Sequence, residues 1–499
     1  MRRLFPPSLY NMVSMSGAAL SVTSFAVFIF LFLIEITADH SNPYMGIFTF
    51  MVAPAFLILG LLMIAYGAWR EKKRIARGTP SEGHLPHIDL NDPRHRRATA
   101  VFFFGTIILL GLSAFGSMEV LEYSDSVQFC GEVCHNVMHP EYTAYAHSPH
   151  ARVPCAECHI GTGAEWFVKA KISGAYQVYS VLFNKFSKPI PTPIENLRPA
   201  QQTCEQCHWP RHFFSEKQRA LTYYVSDENN TKWTLNLLMR IGGGNELSGN
   251  TDGIHWHMNI ANEVDYVSTD HKRQEIPWVR IRDKKTGKET VYQSTENKIS
   301  EAELKNHETR RMDCIDCHNR PSHKYNHPAN QVNQYMQLGW IDPSLPYAKN
   351  ISIKALEIPY TSTSRAMDSI AIVIRDFYSQ NYPDISKHQS AKVDKAIQET
   401  QKIYSRNYFP EMRADWRGYP DNIGHMYAAG CFRCHDGKHK SDDGKVISRD
   451  CNVCHTLLAQ KFENDKQEVS MQGLNYRHPV NVDKAWQEMS CYDCHNDKK

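Results

Sequence analysis

Two cysteines separated by two residues and followed at once by a histidine form a unit with one well-defined chemistry. The thiols add across the two vinyl groups of a haem, and the histidine turns its imidazole onto the iron. The sequence carries this CxxCH unit at Cys155/Cys158-His159, Cys204/Cys207-His208, Cys314/Cys317-His318, Cys431/Cys434-His435, Cys451/Cys454-His455 and Cys491/Cys494-His495. A further copy, Cys130/Cys134-His135, has one extra residue between its cysteines. All 14 cysteines are used in these seven pairs. Disulfides require no histidine after every second cysteine, and zinc sites do not place one there each time. Only 25 of 499 residues are His, so seven such placements exclude chance. The expected cofactor is haem c, seven per chain.

Each iron takes a second axial ligand, and its identity decides between pure electron transfer and substrate binding. The distal candidates nearest the motifs are His147, His257, His307, His323, His425 and His478, with His212 and His439 behind them. A second imidazole saturates the iron and suits it to electron transfer. At the first site, Met138 lies three residues beyond His135 and offers a thioether as an alternative ligand; the other reading is a core methionine.

These sites need elements to hold them. Apolar runs at 16–36, 45–69 and 98–120 are each long enough to cross a bilayer, which takes about 20 residues. No small-x-small cleavage signal follows the first run, which is expected to be retained as a helix. Residues 70–97 carry Arg70, Lys72, Lys73, Arg74, Arg77, Arg94, Arg96 and Arg97, whereas the link 37–44 carries no Lys or Arg. The positive-inside rule then places the amino terminus and the 70–97 loop in the cytoplasm and everything after 120 outside. Haem c is attached on that outer side, which agrees. The first motif begins about ten residues beyond the third run, at no more than roughly 3.3–3.6 Å per residue. It must lie at the outer membrane surface, where a donor dissolved in the membrane can reach it. Glu35 at the outer end of the first run is either a snorkelling carboxylate or a proton acceptor there.

The expected fold is mainly α: three transmembrane helices followed by a haem-packed, loop-rich periplasmic domain with a minor β-hairpin insertion. The divisions are 1–123 for the membrane, 124–213 for the first three motifs, 214–306 for a Cys-free, partly β insertion and 307–499 for the last four motifs. An amphipathic helix is expected from 164 to 186, ended by Pro189, Pro191 and Pro193. Helical spacing recurs at 364–379 and 391–408, and strands flanking Lys-Lys-Thr-Gly read as a hairpin. Helices are expected to start after several motifs. The formal charge of +3 and the lack of a basic tail give no footprint for nucleic acid.

Residues 100–210 resemble the NapC/NirT family of membrane-anchored multihaem quinol dehydrogenases. The matching order is an apolar helix, a haem motif followed by Met138, Glu141-Tyr142, His147-Ser148, Cys155-Ala-Glu-Cys158-His159, a helix with Trp166 and lysines, and Cys204-Glu-Gln-Cys207-His208. With seven motifs, three helices and a long carboxyl-terminal part, the chain resembles the ImcH-type inner-membrane cytochromes of metal-respiring bacteria. The resemblance implies a bacterial inner-membrane protein that oxidises menaquinol at the first haem and passes electrons to periplasmic c-type cytochromes in anaerobic or metal respiration. It implies a quinol-site lysine at Lys169 or Lys171, with Glu165 and Glu141 as further candidates. The family's acidic position falls near Gln177, and the family has two residues between its first cysteines and a single anchoring helix. Two other readings are a terminal multihaem reductase of a small nitrogen or sulfur compound and a relay subunit of a larger respiratory complex.

Overall fold

A computed structural model describes residues 6–37, 52–79, 90–94, 96–97, 99–101, 103–104, 108, 119, 122–133, 135–161, 164–194, 197–208, 216–242, 253–258, 261–462 and 465–496. Two compact units divide the chain: Met1–Ser126 with His159–Tyr176, and Val127–Cys158 with Gln177–Lys499.

In the first unit, α1 (Met12–Thr37) and α2 (Ala53–Ala76) are long and apolar enough to cross a membrane. They meet through small residues. A Cβ on Gly17 would stand 2.6 Å from the Gly60 carbonyl oxygen, and one on Gly60 would stand 2.4 Å from Ser21 Oγ. Ser14 Oγ donates to the Ile64 carbonyl at 3.2 Å. Close backbone approach between small residues holds helices together where lipid removes the hydrophobic driving force. Lys73 and Arg74 occupy the last turn of α2, against the negative end of its dipole. The third apolar run falls mainly outside the described residues.

The second unit is more β-rich than a single hairpin insertion. β1 (Lys217–Tyr224) and β2 (Lys232–Met239) form an antiparallel sheet with β8 (His455–Phe462) and β9 (Glu468–Val469), in the order β1-β2-β8-β9. A five-stranded sheet joins β3 (Asn262–Val267), β4 (Trp278–Asp283), β5 (Glu289–Ser294), β6 (Arg310–Arg311) and β7 (His439–Lys440) in the order β6-β3-β4-β5-β7. The expected hairpin is β4–β5. The strands β7, β8 and β9 come from the last motifs, so the sheets lace residues 217–294 to residues 439–469.

The helical core of this unit consists of α5 (Pro328–Gln337), α6 (Ala348–Glu357), α7 (Thr363–Asn381) and α8 (Ser390–Asn407). On α7, Ala366, Ile370, Ile374 and Tyr378 recur every fourth residue and are buried. Ser362 caps that helix by accepting from Arg365 N. Two further helices matter for the site: α3 (His135–Ala146) and α4 (Ala164–Leu182). The latter ends before the prolines.

Candidate haem sites

The motifs are helical turns in their own right. Cys155–His159, Cys314–Cys317 and Cys491–His495 are single α turns, while Cys204–Gln206, Gly430–Arg433 and Cys451–Val453 are 3-10 turns. The histidine N–H closes the turn onto the first cysteine's carbonyl at 2.8 Å for His208, 2.8 Å for His318 and 3.0 Å for His435. One turn thus puts both sulfurs on one side and the imidazole beside them. Two of the turns carry reciprocal caps written into the sequence. Asp313 accepts from Ile315 N while Asp316 accepts from Asp313 N at 2.7 Å, and Ser490 with Asp493 repeats the arrangement. In the first motif the extra residue is absorbed by a π turn, Phe129–Val133, the usual way a helix takes up one added residue. Gly131 in that turn has no room for a side chain, since a Cβ would stand 2.4 Å from the Tyr142 ring. Cys134 lies outside the described residues.

Cys494 is exposed, and so are Cys158, Cys207 and Cys451. Cys491, the partner of Cys494 at the start of the same turn, is half-buried, and burial raises its thiol above the ordinary value.

Five motif histidines face a second imidazole. The ring centroids are 6.0 Å apart for His208 and His150, 6.4 Å for His318 and His255, and 5.8 Å for His435 and His257. They are 6.2 Å apart for His455 and His425 and again for His495 and His478. With metal–nitrogen bonds of about 2 Å on each side and the centroid roughly 1.1 Å behind its nitrogen, one metal between two imidazoles sets the centroids about 6 Å apart. The five pairs fit the span of a bis-imidazole iron. The tautomers agree. His257 Nδ1 donates to the Ile254 carbonyl at 2.8 Å and His435 Nδ1 to that of Ser448 at 2.9 Å, which leaves Nε2 for a metal. Burial, with the facing His455, pushes His425 down to about 4, so its imidazole is neutral as a ligand must be.

The local structure explains how two of the partners come from one turn. Gly253 takes a φ of +88° where a Cβ would meet the Arg240 carbonyl at 2.6 Å. The chain then bonds back to the end of β2, Ile254 N to Arg240 O at 2.8 Å and His255 N to Ile241 O at 2.9 Å. The 3-10 turn Ile254–Met258 follows, and presents His255 to His318 and His257 to His435 with Trp256 between them. Trp256 packs in the apolar cluster of Val264, Tyr266, Ile276 and Val279.

Successive motifs also touch in sequence order. The Cys130 thiol bonds to Cys155, which lowers the latter to about 7. Cys158 lies in the field of Cys204 and Cys207, and the Cys314 thiol bonds to Cys204. Arg433, inside the fifth motif, donates to the Asp316 carbonyl of the fourth at 2.8 Å. His435 of the fifth reaches Ser448, just before the sixth, and Arg449 there donates to the Glu488 and Met489 carbonyls before the seventh.

The remaining sequence candidates divide. His323 Nδ1 donates to the Glu141 carbonyl at 3.0 Å, and His147 Nδ1 to that of Thr143 at 2.8 Å. His307 is half-buried beside Glu303. His439 is buried with Nδ1 on Asp436 at 2.9 Å and Nε2 on the Ile276 carbonyl at 2.7 Å, so both ring nitrogens are already engaged. Met138 is half-buried on α3. His212 and the side chains of His135 and Glu165 lie outside the described residues, and His159 belongs to the first unit. Lys171 Nζ bonds Asp125 at 2.8 Å and Ser124 at 2.9 Å, and Lys169 sits over the Trp166 ring at 4.8 Å. Glu141 accepts from Tyr325 Oη at 3.0 Å beside Arg320 at 3.7 Å; burial outweighs Arg320 and raises its carboxyl above the usual range. His150 and His255 are outside the favoured distal candidates, although the His255-Trp-His257 triplet was expected to return histidines to the haems. The signals were His150 five residues before Cys155 and the His-x-His spacing.

Residues 93–198 match the N-terminal region of the NapC/NirT cytochrome c family. The cytochrome c-type protein ImcH of Geobacter sulfurreducens is 42% identical over 488 residues, covering 98% of this chain and 95% of the relative. No solved structure matches the chain.

Proposed function

The chain belongs to the NapC/NirT cytochrome c family as a membrane-anchored multihaem cytochrome of electron transfer, and on that premise we propose that it oxidises menaquinol and hands the electrons to periplasmic c-type cytochromes. The observation that carries this reading is the run of five facing imidazole pairs, 5.8–6.4 Å apart, strung together by motif-to-motif contacts in sequence order. When bound, haem c supplies a one-electron carrier at each of seven motifs, and two axial imidazoles favour transfer over ligand binding. His150 with His208, His255 with His318, His257 with His435, His425 with His455 and His478 with His495 would hold five of the haem irons. His135 or Met138 serves the first motif and His159 the second, with His147, His323, His307 and His212 as their remaining distal candidates.

The relay runs from Cys130/Cys134 to Cys491/Cys494, because each motif abuts the next. The amino terminus is cytoplasmic, three helices cross the inner membrane and the motifs lie in the periplasm. The quinol enters beside the first motif, at the outer surface. It loses two electrons singly and releases two protons outside, with Lys169, Lys171, Glu165 and Glu141 as the residues that bind it or receive its protons. The five facing imidazole pairs weigh against a terminal reductase at those motifs, since a reductase needs an iron with an open position.

The test is menaquinol oxidation by the haem-loaded protein in nanodiscs with a soluble c-type cytochrome as acceptor. The acceptor should be reduced at a rate that depends on menaquinol, and the intact chain should weigh seven haem increments more than its sequence. A protein reduced by dithionite but not by menaquinol overturns the quinol assignment. Strong carbon monoxide binding at several sites would favour the reductase.

A further inference from the structure

Helix α4 is amphipathic the wrong way round for a water-soluble surface. At about 100° per residue, Val168, Ile172, Tyr176, Tyr179, Leu182 and the following Phe183 fall within an arc of roughly 120°. This apolar arc faces outward: Ile172 is 68% exposed, Leu182 75% and Phe183 63%. The other side holds Ser180, which is buried, the half-buried Ala170 and Ser173, and the exposed, polar Gln177. A surface helix in water shows the reverse arrangement.

We propose that this stripe lies in the outer leaflet of the bilayer, with α4 parallel to the membrane plane. Three observations favour lipid as the occupant. The first half of α4 belongs to the same compact unit as the membrane helices. Within that unit Lys171 is bonded to Ser124 and Asp125, and Asp125 lies five residues beyond the third apolar run, at most about 18 Å of extended chain. The edges of the stripe have interfacial chemistry: Lys185 Nζ donates to Tyr179 Oη at 2.8 Å and lies over its ring at 5.1 Å. A cation resting on an aromatic ring with its charge toward water is the pattern of a snorkelling belt. The stripe is about 22 Å long at 1.5 Å per residue, longer than a single porphyrin could cover. A helix of this kind, with lysines along it, lies on a membrane rather than across it. It carries Lys169 and Lys171 to the headgroup layer, the depth at which a quinol ring travels.

The proposal rests on the membrane reading of the three apolar runs, and its test separates the two. The photoreactive residue p-benzoylphenylalanine replaces Ile172 or Leu182 in the haem-loaded protein, in nanodiscs of phosphatidylethanolamine and phosphatidylglycerol. Leu62 on α2 is the lipid-facing control and Ile372, exposed on α7, the solvent control. After irradiation, mass spectrometry should find lipid adducts at 172, 182 and 62 and none at 372. Adducts at 62 without any at 172 and 182 overturn the proposal and leave the membrane helices standing. So does a cross-link from 172 or 182 to a second protein or to the haem. Absence of adducts at 62 as well overturns the membrane reading itself.

Discussion

Replacing Asp316 by alanine tests how a haem motif is braced from inside. This carboxylate sits between the two cysteines of the fourth motif and its side chain is 1% exposed. It accepts from Tyr266 Oη at 2.8 Å, Arg310 Nε at 2.8 Å, Arg273 Nη1 at 3.3 Å and Asp313 N at 2.7 Å. Removing it leaves two guanidiniums and a buried phenol without their acceptor. Breaking a buried ion pair from one side costs about 3–5 kcal/mol. Arg310 keeps Asp313 at 3.2 Å and both arginines are about a quarter exposed, which points to the lower end, about 3 kcal/mol. The lost cap and phenol bond lie within the same network and do not simply add. Asp316→Asn keeps an oxygen for Tyr266 and Asp313 N but removes the charge, for which about half the loss is expected, about 1.5 kcal/mol. Asp443→Ala, which removes an exposed pair with Lys445, should leave stability nearly unchanged. The assay is guanidinium unfolding of the haem-loaded protein followed by far-UV circular dichroism. The expected order of stability is parent, Asp443→Ala, Asp316→Asn, Asp316→Ala. If Asp316→Ala cost no more than Asp443→Ala, the bracing argument would fail.

Gly60→Leu should separate α1 from α2, since a Cβ there already meets Ser21 and the Gly17 carbonyl; a loss of about 1–3 kcal/mol is expected in detergent, against none for the exposed Leu59→Ala. Burial alone would lower the His439 pKa, but the Asp436 carboxylate and the Ile276 carbonyl raise it above the ordinary 6.5. A raised histidine contributes stability that is complete below the unfolded value and is lost as pH rises through the folded one. The stability gap between parent and His439→Ala should therefore be wider at pH 6 than at pH 9, and a gap that widened with pH would contradict the ion pair. His150→Ala and His257→Ala should each convert one low-spin haem signal to high spin in electron paramagnetic resonance, and an unchanged spectrum would remove the assigned axial pair.

The local part of the site was legible because it is written in consecutive residues. The CxxCH spacing predicts a turn, and the caps Asp313/Asp316 and Ser490/Asp493 lie within four residues. The helices with four-residue apolar spacing, such as α7, were legible for the same reason. The facing histidine pairs were not, because they depend on contacts far apart in sequence. His147 and His150 look alike on paper, yet His150 faces His208 while the His147 ring bonds its own helix. His439 looked like a ligand until Ile276 and Asp436 took both its nitrogens. The sheet was underestimated because its outer strands, such as the one after His455, come from residues far from the expected hairpin. Leu457 and Ala459 alternate inward there, a period-two pattern that only the partner strand β2 makes meaningful.

The turn at Ile254–Met258 also limits how this chain can change in length. It supplies imidazoles to two different motifs with one residue between them, from a base bonded to the end of β2. One inserted residue between His255 and His257 would advance the second imidazole by about 2 Å and turn it by about 120°, so no compensating shift elsewhere could serve both partners. The exposed β4–β5 turn, residues 284–288, has no such double duty. Descendants of this sequence should therefore gain and lose residues freely at the hairpin, while the His-Trp-His triplet keeps its length.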